Sequence, residues 1–218
     1  MQIAIDGPAS AGKSTVAKIV AQNLGFIYID TGAMYRAATL IALEQDIDLN
    51  DEQKLLAQLK ATTLKFVLTE QGQKLYLDGL DKSRAIRTPE VTANVSAVSA
   101  LPAIREYLVE LQRELAGSQD VIMDGRDIGT TVLPNADLKI FLVASAHSRA
   151  ERRFLDYQNQ GIHEKLADIE ADIIKRDYKD SHREISPLKK AADALEIDTT
   201  NMTIDEVVGK ITTLAKKD

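Results

Sequence analysis

Residues 7–14, with the sequence GPASAGKS, constrain the fold of this chain more than any other segment. They match the pattern G-x-x-x-x-G-K-[ST], whose glycines let successive backbone N–H groups curve around an anion without a Cβ clash. A short apolar run at residues 3–5 precedes the segment, and a helical pattern follows it. A helix in that position directs its positive dipole end at bound phosphates. Because strand, loop and helix come in the required order, we interpret the segment as a phosphate-binding loop rather than a glycine-rich turn.

The phosphate-binding loop predicts one half of a nucleotide site. Lys13 provides a mobile cation for the β and γ phosphates of a nucleoside triphosphate, and the Ser14 hydroxyl is a ligand for Mg²⁺. The residues expected to bind the triphosphate are Gly7, Pro8, Ala9, Ser10, Ala11, Gly12, Lys13, Ser14 and Thr15.

Composition and charge exclude several classes of protein. A chain of 218 residues suits one α/β domain with an insertion, or two small domains. The formal net charge of −6 argues against a broad surface for nucleic acid or membrane, but it is compatible with a local basic pocket. With no cysteine, the chain has no disulfide and no cysteine-based zinc site. We see neither a signal-peptide pattern nor an apolar run of about 20 residues, so we expect a soluble cytoplasmic protein.

The hydrophobic pattern predicts strands that alternate with helices. The predicted core strands are residues 1–6, 26–30, 120–124, 138–143 and 195–198. The predicted helices are residues 13–24, 32–44, 51–60 after an Asn50 N-cap, 88–116 with a break at Pro102, 148–160, 164–179, and a last helix that begins with a Thr203–Glu206 capping box. This order predicts an α/β fold, a five-stranded parallel sheet with helices on both faces.

Residues 62–85 interrupt this pattern. Apolar and polar residues alternate at residues 64–69 and again at 74–78, and a turn signal lies between them at residues 70–73. We therefore predict an inserted antiparallel hairpin, with a third short strand near residues 81–86.

Polar residues follow the predicted core strands, where ligands bind in open parallel sheets. Asp124 ends an apolar strand in the position of a carboxylate that orients Mg²⁺ or its water, although an aspartate there is also a common turn residue. Arg126, on the Gly-containing turn that follows, can bind a phosphate bidentately or form a structural ion pair.

Two charged helical stretches carry further candidates. If the helix continues through them, Arg176, Asp180 and Arg183 share one face, which is either a solvated ion-pair stripe or a surface for phosphate and ribose hydroxyls. Arg149, Arg152 and Arg153 open another helix. They form either a solvated face or a mobile lid that neutralises charge on a transferring phosphoryl group. The residues alone support both alternatives in each case.

Several of these segments together resemble the bacterial cytidylate kinases, a branch of the nucleoside monophosphate kinases with the P-loop fold. The segments are IDGPASAGKST (5–15), DTGAMYR (30–36), IRTPEV (86–91), DGRDIGT (124–130), the lid helix and KRDYKDSHREISPL (175–188). The inserted hairpin is also similar to the small antiparallel sheet of that family. The resemblance covers essentially the whole chain.

The resemblance implies transfer of the γ-phosphoryl group of ATP to CMP or dCMP, with Mg²⁺ as the cofactor, in pyrimidine nucleotide metabolism. It implies Ser96, Arg105 and Asp127 as readers of the cytosine edge, and Arg36, Arg126 and Arg183 as the clamp on the monophosphate. Arg176 and Asp180 are implied as contacts of the sugar hydroxyls, and Thr31 stands where a serine is frequent in the family. Lys13, Arg126, Arg152 and Arg183 are the expected catalytic residues, while Ser14 and Asp124 are the expected Mg²⁺ ligands, the latter through water.

The resemblance also implies a division of the chain into regions. We expect a core at about 1–30, 88–147 and 184–218, a monophosphate-binding region with the insert at about 31–87, and a short helical lid at about 148–170. We further expect a monomer that binds neither nucleic acid nor membrane. The alternatives are a kinase for UMP or another small phosphate acceptor, a non-catalytic ATP-binding module, and a nucleic-acid-dependent NTPase.

Overall fold

The computed structural model describes residues 1–69 and 72–216. It divides into two compact units, one formed by Met1–Asp30 with Arg113–Asp218 and the other by Thr31–Gln112. The elements in chain order are β1 (Gln2–Asp6), α1 (Lys13–Leu24), β2 (Ile27–Asp30), α2 (Thr31–Glu44), α3 (Glu52–Ala61), β3 (Leu64–Thr69), β4 (Gly72–Leu77), β5 (Leu80–Asp81), α4 (Pro89–Val98), α5 (Pro102–Ala116), β6 (Val121–Gly125), β7 (Leu138–Val143), α6 (Ala146–Asn159), α7 (Leu166–His182), β8 (Leu195–Asp198) and α8 (Ile204–Ala215).

The first unit is built on a five-stranded sheet in the order β2-β6-β1-β7-β8. Every neighbouring pair in it is parallel, so the predicted sheet is confirmed. β1 lies in the middle, with Asp6 in register with Gly125 of β6 and Phe141 of β7. The loops that leave β1 and β6 therefore begin side by side at the carboxyl edge of the sheet.

Apolar residues of the central strands form the core of this unit. Ile3 and Ile5 of β1 are fully buried, and they belong to one cluster with Val16 and Val20 of α1 and Ile211 of α8. An almost continuous apolar strand is typical of a parallel sheet that is buried on both faces. The packed core holds the end of β1, and with it the start of the phosphate-binding loop, in a fixed position.

Local signals account for several helix ends in the first unit. α1 ends at Gly25, whose φ of 72° is the left-handed conformation that glycine adopts without a steric cost. α8 begins with the predicted capping box, in which Thr203 and Glu206 satisfy each other's backbone N–H groups. Each of these ends is set by residues adjacent in sequence.

The second unit contains α2, α3, a three-stranded antiparallel sheet, α4 and most of α5. The hairpin of β3 and β4 confirms the predicted insertion, and residues 70–71 of the predicted turn lie outside the described residues. The third strand is shorter than predicted and ends at Asp81. The Ser83 hydroxyl accepts the Leu75 N–H, so the chain leaves the sheet there and forms a 3₁₀ turn at Ala85–Arg87.

The helix caps of the second unit include one confirmed prediction and one that was wrong. Thr88 caps α4 and Pro89 follows it at the first helical position, as predicted. The N-cap of α3 is Asp51, which accepts the Lys54 N–H, and not Asn50. The Asn50 N–H and side-chain amide both donate to Asp48, so a local turn takes up the residue that was predicted to cap the helix.

Among the described helices, none has the length and apolar character of a membrane span.

Candidate functional site

The phosphate-binding loop runs from the end of β1 to the start of α1. A Cβ at Gly7 would collide with the Leu142 carbonyl oxygen, and Gly12 precedes α1 with a φ of 86°. Both positions therefore require glycine. Lys13 is buried, and its Nζ donates to the Pro8 carbonyl at 2.6 Å across the loop. Burial, and then the nearby Arg126, lower the pKa of Lys13 well below its usual range.

The Asp124 carboxylate beside this loop accepts hydrogen bonds from two hydroxyl groups. The Ser14 hydroxyl donates to Oδ2 of Asp124 at 2.7 Å, and the Tyr28 hydroxyl donates to Oδ1 of the same carboxylate at 2.8 Å. Burial, and then the charge of Asp30, raise the pKa of Asp124. A hydroxyl and a carboxylate are the ligand types that Mg²⁺ prefers, so the donor set fits this metal. An added cation would also stabilise the ionised form of Asp124.

Asp6 links the phosphate-binding loop to the segment that follows β6. Its carboxylate is buried and accepts the Ile128 N–H through Oδ1 and the Gly129 N–H through Oδ2, both at 2.8 Å. Burial raises the pKa of Asp6 to about 6, although the two N–H bonds oppose this shift. The last residue of β1 thus binds the turn that begins directly after Asp127.

Charged residues of the β6 loop, of α7 and of the segment directly after α7 form a second cluster in the first unit. Arg126 Nε lies 3.0 Å from Asp180 Oδ2, and Arg176 Nε lies 3.9 Å from the same oxygen. α7 ends at His182, so the helix does not continue through Arg183, and Arg183 does not extend the helix face of Arg176 and Asp180. Arg183 Nη2 lies 3.3 Å from Asp127 Oδ1. Burial alone would raise the pKa of Asp180, but Arg126, Arg176 and Arg183 outweigh it, and the net pKa is lowered. The structure therefore brings together the five residues of this unit that were expected to bind the acceptor.

The arginines that open α6 have different environments. Arg149 is buried and donates to the Ala9 carbonyl of the phosphate-binding loop at 3.1 Å, while it also lies 2.6 Å from Asp177 of α7. Arg149 thus contacts the phosphate-binding loop and α7 and does not lie on a solvated face. Arg153 Nε donates to Ser10 Oγ at 3.0 Å, and burial lowers its pKa.

Arg152 extends to a different loop. It donates to the hydroxyl and the carbonyl of Thr199, at 3.2 and 2.6 Å. One of its terminal nitrogens also lies 4.0 Å from where a Cβ of Gly12 would be. Arg152 therefore lies between the loop after β8 and the start of α1.

The remaining predicted residues belong to the second unit. Thr31 is buried at the start of α2, and Arg36 is half-buried on the same helix. The Arg105 guanidinium is buried, lies 5.4 Å from the centre of the Tyr35 ring, and donates to the Ser99 carbonyl at 3.0 Å. The Ser99 hydroxyl in turn donates to the Ser96 carbonyl. Arg105 and Ser96 are thus joined through Ser99 within one unit.

Sequence reasoning missed three residues with contacts at these sites: Asp6, Tyr28 and Asp177. Asp6 and Tyr28 lie in strands just before chemically active loops, so the rule that ligands bind beyond strand ends could have included them. Asp177 lies in the segment 175–188 that resembles the family, but no local pattern distinguishes it from its charged neighbours as a contact of the phosphate-binding loop.

Comparison with known proteins gives one consistent family. The family model for cytidylate kinase matches residues 3–217. The chain is 68% identical over 217 residues to a cytidylate kinase of Lactobacillus gasseri, covering 100% of this chain and 94% of the relative. It is 54% identical over 211 residues to a cytidylate kinase of Bacillus thuringiensis, covering 97% and 94%.

Similarity to solved structures supports the fold. A sugar kinase from Janibacter sp. superimposes with a TM-score of 0.51 at 11% identity, covering 99% of this chain and 94% of the other. An uncharacterized protein from Eubacterium ventriosum superimposes with a TM-score of 0.54 at 12% identity, covering 100% and 99%. At these identities the likeness concerns the fold alone.

Proposed function

The chain belongs to the cytidylate kinase family and transfers the γ-phosphoryl group of ATP to CMP or dCMP, and from this premise we propose how its residues divide the work. The donor nucleotide binds at the loop between β1 and α1, where residues 7–15 surround its phosphates. Lys13 exchanges its bond to the Pro8 carbonyl for bonds to the β and γ phosphates. The phosphates supply the negative charge that favours the protonated lysine, and this offsets the cost of its burial.

Ser14 and Asp124 are the proposed Mg²⁺ site. The two side chains already contact each other through oxygen atoms, and both belong to the ligand class that Mg²⁺ uses. Mg²⁺ bound with ATP neutralises charge on the β and γ phosphates. Ser14 would hold the metal through its hydroxyl, and Asp124, held by Tyr28, would hold it through a water molecule.

The acceptor assignment depends on one observation, the paired contacts of Arg183 with Asp127 and of Arg126 with Asp180. We propose that Arg36, Arg126 and Arg183 bind the phosphate of CMP and that Arg176 and Asp180 bind its sugar hydroxyls. Charge-assisted and bidentate bonds make arginine well suited to hold a phosphate. The ion pairs hold Arg126 and Arg183 near Asp180 and Asp127, and the nucleotide replaces these partners when it binds.

Base selection is assigned to Asp127, Arg105 and Ser96. Asp127 accepts from the exocyclic amino group of cytosine, whereas Arg105 and Ser96 bind N3 and O2. Uracil carries a carbonyl in place of the amino group, so Asp127 would face an acceptor. A buried polar group left unpaired costs about 1–3 kcal/mol, and more when it is charged. Thr31 completes the acceptor side through its hydroxyl.

The proposed reaction is a direct in-line transfer without a phospho-enzyme. A phosphate monoester is a competent nucleophile near neutral pH, so positioning and charge neutralisation carry the catalysis. Arg152 is the arginine that we assign to the reacting phosphates, because it lies near Gly12 at the start of α1. Closure of the lid at about 148–170 excludes water and so suppresses ATP hydrolysis.

The regional roles are part of the same proposal. The core lies at about 1–30, 88–147 and 184–218, and the monophosphate-binding region at about 31–87. We propose that the enzyme acts as a monomer in the cytoplasm.

An acceptor panel tests this proposal. ADP release should be measured with ATP and Mg²⁺ on CMP, dCMP and UMP at subsaturating concentrations. We expect good turnover of CMP and dCMP, much poorer turnover of UMP, and loss of activity with EDTA that added Mg²⁺ restores.

The other outcomes favour the alternatives. Equal turnover of UMP and CMP would contradict the assignment of Asp127 to cytosine. Folded protein without CMP-dependent ADP release would favour a non-catalytic ATP-binding module. Hydrolysis stimulated by DNA or RNA but not by CMP would favour a nucleic-acid-dependent NTPase.

A further inference from the structure

A short helical turn at Ile128–Val132 follows the base-reading loop, and its N-terminus is capped from another strand. The first N–H groups of a helical turn have no partner within the turn. Here the Ile128 and Gly129 N–H groups donate to the two carboxylate oxygens of Asp6, both at 2.8 Å. Asp6 and Ile128 are 122 positions apart in sequence.

The residue in the N-cap position of this turn is Asp127. Aspartate is a preferred N-cap residue because its side chain can accept the N–H of the second or third residue of the turn, here Gly129 or Thr130. Among the described residues, however, Asp6 performs this role, while Asp127 Oδ1 lies 3.3 Å from Arg183 Nη2. The Asp127 carboxylate is therefore directed to the cationic cluster and does not cap its own turn.

Asp6 has a fixed position in the sheet, so its contacts with the turn are also fixed. It is the last residue of β1, which is paired with β6 on one side and β7 on the other. Its side chain is 4% exposed, and Gly7 of the phosphate-binding loop follows it directly. The Gly129 end of the turn is also confined, because a Cβ there would lie 3.1 Å from the Lys139 side chain and 3.4 Å from Asp6 Oδ2.

We propose that Asp6 is a positioning residue for the acceptor: by capping the turn after Asp127 in place of Asp127 itself, it directs the Asp127 carboxylate toward Arg183 and the cytosine base. This inference rests on the proposed role of the β6 loop in binding CMP. β1, which leads into the phosphate-binding loop, would thus also set the geometry of the acceptor site.

The variant Asp6→Asn tests the proposal because its side chain offers only one acceptor oxygen. The amide nitrogen then faces a backbone N–H, and one buried donor is left unpaired or recruits Asp127. We expect KM for CMP to rise by roughly tenfold and the preference for CMP over UMP to fall by a similar factor. KM for ATP should change by less than about twofold, because the backbone of β1 keeps its pairing.

Asp137→Asn is the matched control. Asp137 also accepts a backbone N–H of β1, from Gln2 at 2.6 Å, but at the opposite end of the strand. This variant should keep the wild-type KM for CMP and the wild-type preference for CMP over UMP. If Asp6→Asn matches Asp137→Asn in both quantities, the positioning role is wrong. If the wild type itself lacks CMP-dependent activity, the proposed function fails instead.

A measurement on the wild-type protein covers the case in which Asp6→Asn does not fold. Amide hydrogen exchange of Ile128 and Gly129 should be slow in the nucleotide-free enzyme, because both N–H groups donate to a buried carboxylate. Exchange at these two amides as fast as in exposed loops would overturn the proposal, since the capping bonds would then not persist.

Discussion

Asp127 is the side chain on which the proposed base selection depends most. Its carboxylate contacts Arg183, and its own backbone carbonyl accepts the N–H of Thr131 in the following turn. The residue is 4% exposed, so a nucleotide base that binds it must satisfy its charge without help from bulk water. A cytosine amino group can do this, and a uracil carbonyl cannot.

Replacement of Asp127 by alanine should therefore weaken discrimination rather than abolish the reaction. We expect the ratio of kcat/KM for CMP to that for UMP to fall by roughly tenfold or more, since an unpaired buried acceptor no longer penalises uracil. Steady-state kinetics on both acceptors measure this ratio, and Asp137→Ala serves as the control. Unchanged selectivity in Asp127→Ala would assign base recognition to other residues.

The ion pair of Arg149 and Asp177 connects helices α6 and α7 to the phosphate-binding loop. Arg149 of α6 donates to the Ala9 carbonyl, and Asp177 of α7 accepts both from Arg149 and from the Ala9 N–H, the latter at 3.4 Å. One peptide segment of the loop is thus held on both sides. Because Arg149 is 5% exposed, the loss of its carboxylate partner would leave a buried charge uncompensated.

Asp177→Asn should loosen the donor loop without disturbing the acceptor residues. We expect KM for ATP to rise severalfold and the free energy of unfolding to fall by about 2 kcal/mol, while KM for CMP stays near the wild-type value. Urea unfolding and steady-state kinetics give these quantities. Asp172→Asn, at an exposed site of the same helix, is the control. Equal KM values for ATP in the two variants would show that the pair serves only packing.

Asp6 connects stability of the whole chain to pH. Burial raises its pKa from 3.8 to about 6, so the folded state holds a proton that the unfolded state has already released between these values. Stability from this group is therefore greatest below about pH 4, and it is lost as the pH rises to about 6. At neutral pH the buried charge costs about 3 kcal/mol, since one pKa unit corresponds to about 1.4 kcal/mol.

The unfolding free energy of the wild type, minus that of Asp6→Asn, should therefore fall as the pH rises from about 4 to 6. The pKa of Asp180 is lowered, so stability from this carboxylate rises with pH instead. Both proteins contain Asp180, so the subtraction removes its contribution. Urea titrations across this range measure the difference. A difference that does not vary with pH would mean that the pKa of Asp6 is ordinary, and the cost assigned to its burial would then be wrong.

Much of the fold could be predicted because its signals are local. Gly25 ends α1, Thr88 and Pro89 begin α4, and the Thr203–Glu206 box begins α8, each through contacts between residues close in sequence. Where two local signals competed, as when Asp48 engaged Asn50, the predicted cap was off by one residue. The hairpin was predicted from its alternation, but the length of its third strand was not, because Ser83 intervenes from outside the strand.

The candidate site, like the fold, could be predicted only where its signals are local. The phosphate-binding loop, Lys13, Ser14 and the strand-end carboxylate Asp124 follow from the sequence alone, since the order of strand, loop and helix determines where backbone N–H groups point. The sequence alone does not predict that Asp6 accepts the N–H groups of Ile128 and Gly129. Nor does it predict the ion pair of Arg149 with Asp177. Charged residues are common in any chain, and only packing of distant segments selects which of them share a buried partner. Local motifs thus determine the residue types needed for phosphoryl transfer. The orientation of these residues depends on buried contacts between distant segments, which form only when the chain is folded.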